Sequence, residues 1–274
     1  MRYLINIFIF LVFSQLLFAQ KYKQIDVSQR KFYYEYTFYE EHGNPNSVKS
    51  HQMVLEVGSQ CSKFYSTSAM YADSLFMLYA NEPSDVAFSK LLPQVSGSPV
   101  PAYCNYYVYK NYPEKGTTLF TGTDMSIEGN FLVNEKIKFN WEIDDNSDTI
   151  ISGLSCIKAK TQFAGRNYIA WFTLAIPIND GPYKFYGLPG LIVFLHDSKK
   201  EHVFKLVSMK NVKKPIYFVD KDFITTDAKG FVKALEASKA ELIRMLDNVT
   251  FSDDAMKYKA VMRVQRRNNF IELY

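Results

Sequence analysis

Cysteine, histidine and tryptophan are scarce in this 274-residue chain, which holds three, four and two of them. No Cys-x-x-Cys pair occurs, so neither a zinc ribbon nor a thioredoxin-type redox pair is available. A His-Glu-x-x-His helix, a Gly-x-Ser-x-Gly elbow and a phosphate-binding P-loop are missing too, which removes the signatures of zinc peptidases, α/β-hydrolases and P-loop nucleotidases. Glycine at 12 and proline at 10 are too few for a collagen-like or low-complexity chain. Charge of one sign is lacking as well: 32 Lys and Arg against 28 Asp and Glu leave +4, which is no footprint for nucleic acid.

What the chain has in quantity is Tyr and Phe, 20 and 22 of them, and a chain so rich in aromatics folds. Lys31 to Tyr39 alternates, with Phe32, Tyr34, Tyr36 and Phe38 on one face. Tyr103, Asn105, Tyr107 and Tyr109 likewise oppose Cys104, Tyr106 and Val108. Further strands are expected at 52–57, 62–67, 117–121, 130–133, 137–143, 154–163, 168–174, 191–196 and 202–209. Ala164-Gly165-Arg166-Asn167 marks a hairpin, with Gly165 available for a positive-φ position. Residues 73–79 fit helix or strand, and Ser84-Asp85 reads as the cap of a helix closed by Pro93. Asp227 then precedes Ala228, Phe231, Val232, Leu235, Leu242, Ile243 and Leu246 at helical spacing. Ser252 is the expected cap of a second helix over 253–266. Strands followed by helices predict an α+β fold. The expected form is a large twisted antiparallel β-sheet, open or curved into a partial barrel, with one or two C-terminal helices in a single domain over 20–274. An outer-membrane barrel would also alternate and carry aromatics, but the helical C-terminal part argues against it.

Residues 1–19 place Arg2 ahead of an apolar run from Leu4 to Phe18 and end on the small Ala19, before Gln20 and Lys21. This is the build of a secretory signal peptide, and the run is shorter than the ~20 apolar residues of a spanning helix. Gln20 stands where a lipoprotein would have Cys. The expectation is cleavage near Ala19, a periplasmic or secreted location, and no transmembrane helix in the mature chain. Cleavage removes one charge, Arg2, leaving 31 basic and 28 acidic residues. In an oxidising compartment Cys61, Cys104 and Cys156 predict one disulfide and one free thiol, with the pairing open.

The most distinctive stretch runs from Ile176 to Ile192 and contains Gly181-Pro182 and Gly187-Leu188-Pro189-Gly190. Pro189 fixes φ and Gly190 accepts positive φ, so Leu188 to Leu191 predicts a type II turn. Gly187-Leu188-Pro189-Gly190-Leu191-Ile192 resembles the motif of the GLPGLI family in full. Cys156, Lys158, Ala159, Gly165-Arg166, Tyr168, Ala170-Trp171, Ile176-Pro177 and Gly181-Pro182 resemble its surroundings, and Ile271-Glu272-Leu273 resembles its ending, with Phe270 in place of the usual Pro. The specific likeness covers Leu154 to Asp197. It implies an exported protein of Gram-negative bacteria and supplies no enzyme class.

Each candidate site carries two readings. Arg166 and Trp171 could clamp a carboxylate and stack beside it, or pair within the turn and pack in the core; the second is commoner. Asp180 is a turn former, or a general acid that still needs a partner. His196, Asp197, Glu201 and His202 could bind a metal if register put them on one face; a solvated turn is the commoner outcome. The reading preferred is a non-enzymatic binding or accessory protein of the cell envelope. Its contact residues are Arg166, Trp171, Asp180, Gly187, Leu188, Pro189 and Gly190, and its partner an apolar or peptide ligand or an envelope protein. No cofactor, metal or nucleic acid is expected. The alternative is an envelope hydrolase built on Asp180, Arg166 and His196.

Overall fold

Phe32, Tyr34, Tyr36 and Phe38 are all buried on one face of a strand, as a period of two requires. They belong to β1 (Lys21–Tyr39) in a computed structural model that describes residues 21–79, 82–83, 86–87, 89–90, 94, 104–123 and 129–274. The expected signal peptide and the Ser84-Asp85 cap lie outside the described residues. After β1 come β2 (Val48–Val57), β3 (Ser62–Ser66), helix α1 (Thr67–Leu78), β4 (Tyr106–Lys110), β5 (Thr118–Gly122) and β6 (Asn130–Glu135). The chain continues through β7 (Glu142–Ile151), β8 (Leu154–Phe163), β9 (Arg166–Thr173), β10 (Leu191–Asp197), β11 (His202–Asp220) and β12 (Phe223–Thr226), then helices α2 (Ala228–Asp247) and α3 (Asp254–Gln265).

These strands form one 12-stranded sheet in the order β12-β6-β5-β4-β3-β2-β1-β11-β10-β9-β8-β7. Every pair is antiparallel except the parallel β12–β6 pair. The sheet is open, with β12 and β7 at its edges. At its centre β1 and β11 pair from Lys21–Asp220 to Phe38–His202, with three register shifts. Such bulges bend a strand and increase its twist.

Both faces of the β3–β5 region are covered, and that is why β3, β4 and β5 are buried at every position. Phe64, Tyr106, Val108 and Phe120 face the main core, while Tyr65, Tyr107, Tyr109 and Leu119 face a second cluster with Ala69 of α1 and Phe218 of β11. The helix-or-strand ambiguity before residue 79 resolves as helix: the Ser66 hydroxyl caps α1 by accepting the Ala69 N–H at 3.0 Å. Asp227 caps α2 as expected, accepting the Gly230 N–H at 2.7 Å. The cap of α3 is Asp253 rather than Ser252, because the Asp253 carboxylate takes the Met256 N–H at 2.7 Å.

The expected disulfide is not formed. Cys61, Cys104 and Cys156 are free and buried, the first beside β3, the second before β4 and the third on β8. Burial pushes the Cys61 thiol up to about 12 and raises Cys104 and Cys156 as well, so all three stay protonated and unreactive at neutral pH. Among the described residues no helix is long and apolar enough to cross a membrane.

Candidate functional site

Helix α2 and the main-core face of the sheet do not close completely on each other. They leave a cavity of about 90 Å³, partly open to solvent. Tyr36 and Phe38 of β1, Tyr106 of β4 and Phe120 of β5 form its floor, and Phe231 and Leu235 of α2 its roof. The C-terminal residues 269–272 make one wall. The walls are flat and aromatic: Tyr106 stacks on Phe120 at 5.6 Å, Phe231 lies 5.2 Å from Phe120, and Tyr183 meets Tyr106 edge-on at 5.4 Å.

Two buried polar atoms among these side chains have no hydrogen-bond partner, the Tyr106 hydroxyl and His202 Nε2. The other nitrogen of His202, Nδ1, meets the Tyr36 hydroxyl at 2.8 Å. Burial, then the positive charge of Arg166, push His202 down to about 3, so the imidazole is neutral. Asn269 and the Phe270 carbonyl, within hydrogen-bonding reach of the ring, pull the other way. Burial holds the Tyr106 hydroxyl well above its ordinary value, so it keeps its proton. The charged groups nearby are already committed. Lys184 bridges Glu135 at 2.5 Å and Glu272 at 2.6 Å, and Glu272 also accepts from the hydroxyls of Tyr183 and Tyr274.

Behind His202 lies Arg166, buried on the first residue of β9. Its guanidinium contacts Asp197 and Glu201 at 3.3 Å each, donates to Asn269 at 2.5 Å, and donates twice to the Phe270 carbonyl at 2.7 and 3.2 Å. Asp197 accepts the His202 N–H at 2.8 Å, and Glu201 accepts from His42 and from the Gly43 N–H at 2.8 Å each. One cation thus ties β9, the β10–β11 turn, the β1–β2 loop and the chain end together. That overturns the solvated-turn reading of residues 196–202: His196, Asp197, Glu201 and His202 are all buried. The metal reading fails too. His196 pairs with Val203, so His202 is one step along and on the opposite face. Among the described residues no group of three or more His, Cys, Asp or Glu is placed to hold a metal ion.

The remaining sequence candidates stand away from the cavity. Trp171 packs half-buried on the main core with Lys158 5.8 Å over its ring. Asp180 pairs with the buried Lys110, which also donates to the carbonyls of Gly181 and Phe185. Burial pushes the Lys110 ammonium down against the pull of Asp180. The expected type II turn is absent because the Leu191 N–H that would close it donates to the Ile176 carbonyl at 3.0 Å. Gly187, not Gly190, has positive φ (+104°), while Leu188 is buried and Pro189 exposed. Residues 187–190 form a scaffold where the loop meets β10. Of the candidates, His202 lines the cavity and Arg166 reaches it through Asn269 and Phe270. Tyr106 and His202 were missed as a pair. The alternation that put Tyr106 opposite Tyr107 was the signal for the first, and His202 stood out only as a candidate metal ligand.

Over residues 140–194 the chain matches a family described as "Protein of unknown function (Porph_ging)". That stretch holds β7, β8, β9, the loop after β9 and the first residues of β10. No curated protein matches the sequence. Among solved structures the chain is similar to PNGF-II in its P21 and C2 space groups, at 12% identity and TM-scores of 0.49 and 0.48. Each match covers 77% of this chain, which spans only 34% and 33% of the PNGF-II chains.

Proposed function

We propose that the protein is an exported binding protein of a Gram-negative cell envelope, and that the cavity beneath α2 receives its ligand. The observation that carries this reading is the cavity itself, floored by Tyr36, Phe38, Tyr106 and Phe120, roofed by Phe231 and Leu235, and partly open to solvent. A concave, mostly apolar cavity with a few polar groups in its lining is the usual form of a small-ligand site. Binding is favoured over hydrolysis because the hydrolase set is dispersed. Asp180 is held by Lys110, Arg166 by two carboxylates and the chain end, and His196 by the Asp197 carbonyl at 2.8 Å.

Benzene serves as a probe of the apolar body of the site. Saturating benzene is expected to raise the melting temperature by a few degrees and to shift the methyl resonances of Val133, Val232 and Leu235. Ala228 also lines the cavity, at the first position of α2. Ala228→Leu places three more carbons there and is expected to abolish the benzene response while the protein stays folded. A response that survives Ala228→Leu, or that moves other methyls, would count against the site. Export has its own test. The chain recovered from periplasm or medium is expected to begin at Gln20; a membrane-retained chain beginning at Met1 would sink that part of the proposal.

A further inference from the structure

Away from the cavity, two open strand edges carry opposite charge, and we infer that they pair between copies of this chain: β7 of one copy adds as an antiparallel strand to β11 of another. The edges come first. β7 ends the sheet and pairs with β8 alone. β11 outlasts β10, which meets it only from Val203 to Lys205. The Ser152 hydroxyl donates to the Leu206 carbonyl at 2.9 Å and ends the covered part. From Val207 to Lys214 β11 has β1 on one side and, among the described residues, no strand on the other. Such an edge leaves N–H and C=O groups free for one more strand. Both edges also expose large apolar side chains, Ile143 and Ile150 on β7, Val207 and Met209 on β11.

Charge selects the occupant. β7 holds Glu142, Asp144, Asp145 and Asp148, and no Lys or Arg occurs from Phe139 to Ile157. Lys160 and Lys158 of β8 stand opposite Glu142 and Asp144, which leaves Asp145 and Asp148 exposed with no cation across from them on β8. β11 is the reverse. No acid occurs from His202 to Val219, and Lys210, Lys213 and Lys214 are exposed. On β1, Lys31 stands opposite Lys210 and Ser28 opposite Lys214. Like charges directly opposite each other destabilise a strand pair, and unlike charges favour it. Pairing β7 with β7, or β11 with β11, is thereby disfavoured, and β7 on β11 is the match. Counted residue by residue, one antiparallel alignment sets Asp144 against Lys214, Asp145 against Lys213 and Asp148 against Lys210. A parallel alignment matches two acids at most. The same antiparallel alignment brings the irregular stretch of β7 between Asp144 and Asp148 against that of β11 between Asn211 and Lys214. Backbone bonding then supplies the affinity, and charge the choice of partner. Each copy carries both edges, so association runs head to tail and can pass beyond the dimer.

The experiment is sedimentation equilibrium of the mature chain at low and high salt, with two charge-reversed variants, Asp145→Lys/Asp148→Lys and Lys210→Asp/Lys213→Asp. All four side chains are exposed, so both variants fold. The native chain is expected to associate in about 20 mM salt, and its association to weaken about tenfold or more in about 0.5 M salt, where exposed charges are screened. Each variant alone is expected to stay monomeric, because its two edges now carry like charge. Mixed in equal amounts, the two variants are expected to associate again, because each supplies the edge that the other has lost. A native chain that is monomeric at low salt, association that high salt strengthens or leaves unchanged, a variant that associates as the native chain does, or a mixture that stays monomeric would each overturn the inference. None of these outcomes bears on the cavity, whose benzene response is read separately.

Discussion

Arg166→Gln is expected to destabilise the protein by about 3–5 kcal/mol at neutral pH, measured by denaturant unfolding. Asp197 and Glu201 have side chains 1% and 3% exposed, and Arg166 is the cation between them. Removing it leaves two buried carboxylates with only the His202 and Gly43 N–H groups and the half-exposed His42 to hold them, which costs far more than an exposed ion pair is worth. It also releases Asn269 and the Phe270 carbonyl, which hold the cavity wall. Arg166→Lys separates charge from shape. A lysine restores the positive charge but cannot reach two carboxylates, an amide and a carbonyl from one planar fork, so an intermediate loss is expected. The deficit also depends on pH. Burial raises the Glu201 carboxyl, but hydrogen bonds from the Gly43 N–H and Arg166 and the His42 charge outweigh it, so its folded value lies below the ordinary one. A depressed carboxylate adds stability that is present above its unfolded pKa and lost as pH falls through the folded one. The variant loses the Arg166 share of that stability, so its deficit is expected to shrink as the pH drops below the ordinary glutamate range. A loss under about 1 kcal/mol at neutral pH, or one that grows on acidification, would mean the network is not what holds this corner.

The parts of the fold that were legible are those decided by neighbours in sequence. The β8–β9 hairpin was readable because its turn residues Ala164 and Gly165 both take positive φ, which is local chemistry. The aromatic face of β1 and the Asp227 cap were readable for the same reason. The second half of β11 was not. Met209 to Lys214 is polar and largely exposed, and it is strand because it pairs with the first half of β1, which is fixed far away in sequence. Edge strand β7, with Asp144, Asp145 and Asp148, carries no apolar alternation and was placed too early, at 137–143. The candidate site divides along the same line. Arg166 stood out from its motif, but its partners are 31, 35 and 103 residues away. Whether His196 and His202 shared a face depended on a pairing register that no local pattern reports. Tyr106 reads as one more inward tyrosine; its hydroxyl is orphaned only because α2 and the chain end pack where they do.

Gly190→Ala is expected to cost about 3 kcal/mol, the upper end of overpacking penalties, while Gly153→Ala costs about 1 kcal/mol. The comparison separates the two reasons a chain needs glycine. Gly153 lies in the β7–β8 turn at φ +78°, and a Cβ there meets nothing within 4 Å, so its substitution pays only left-handed strain. Gly190 has no positive φ, so an alanine suffers no conformational penalty of that kind. Its Cβ would instead stand 2.0 Å from the Thr173 carbonyl oxygen and 2.7 Å from its carbon. Both atoms are backbone, and no rotamer change moves them. The strand cannot retreat cheaply either. Thr173 pairs with Leu191 where β9 joins β10, the Leu191 N–H is held by Ile176, and Leu191 and Ile192 are fully buried beside it. Relieving the clash therefore opens the end of the β9–β10 ladder and lifts two core side chains with it. Unfolding free energies that rank Gly153→Ala as the more damaging change would show that residues 187–190 are kept for backbone conformation and not for close approach. The expected order identifies Gly190 as the point where the loop is pressed against the sheet.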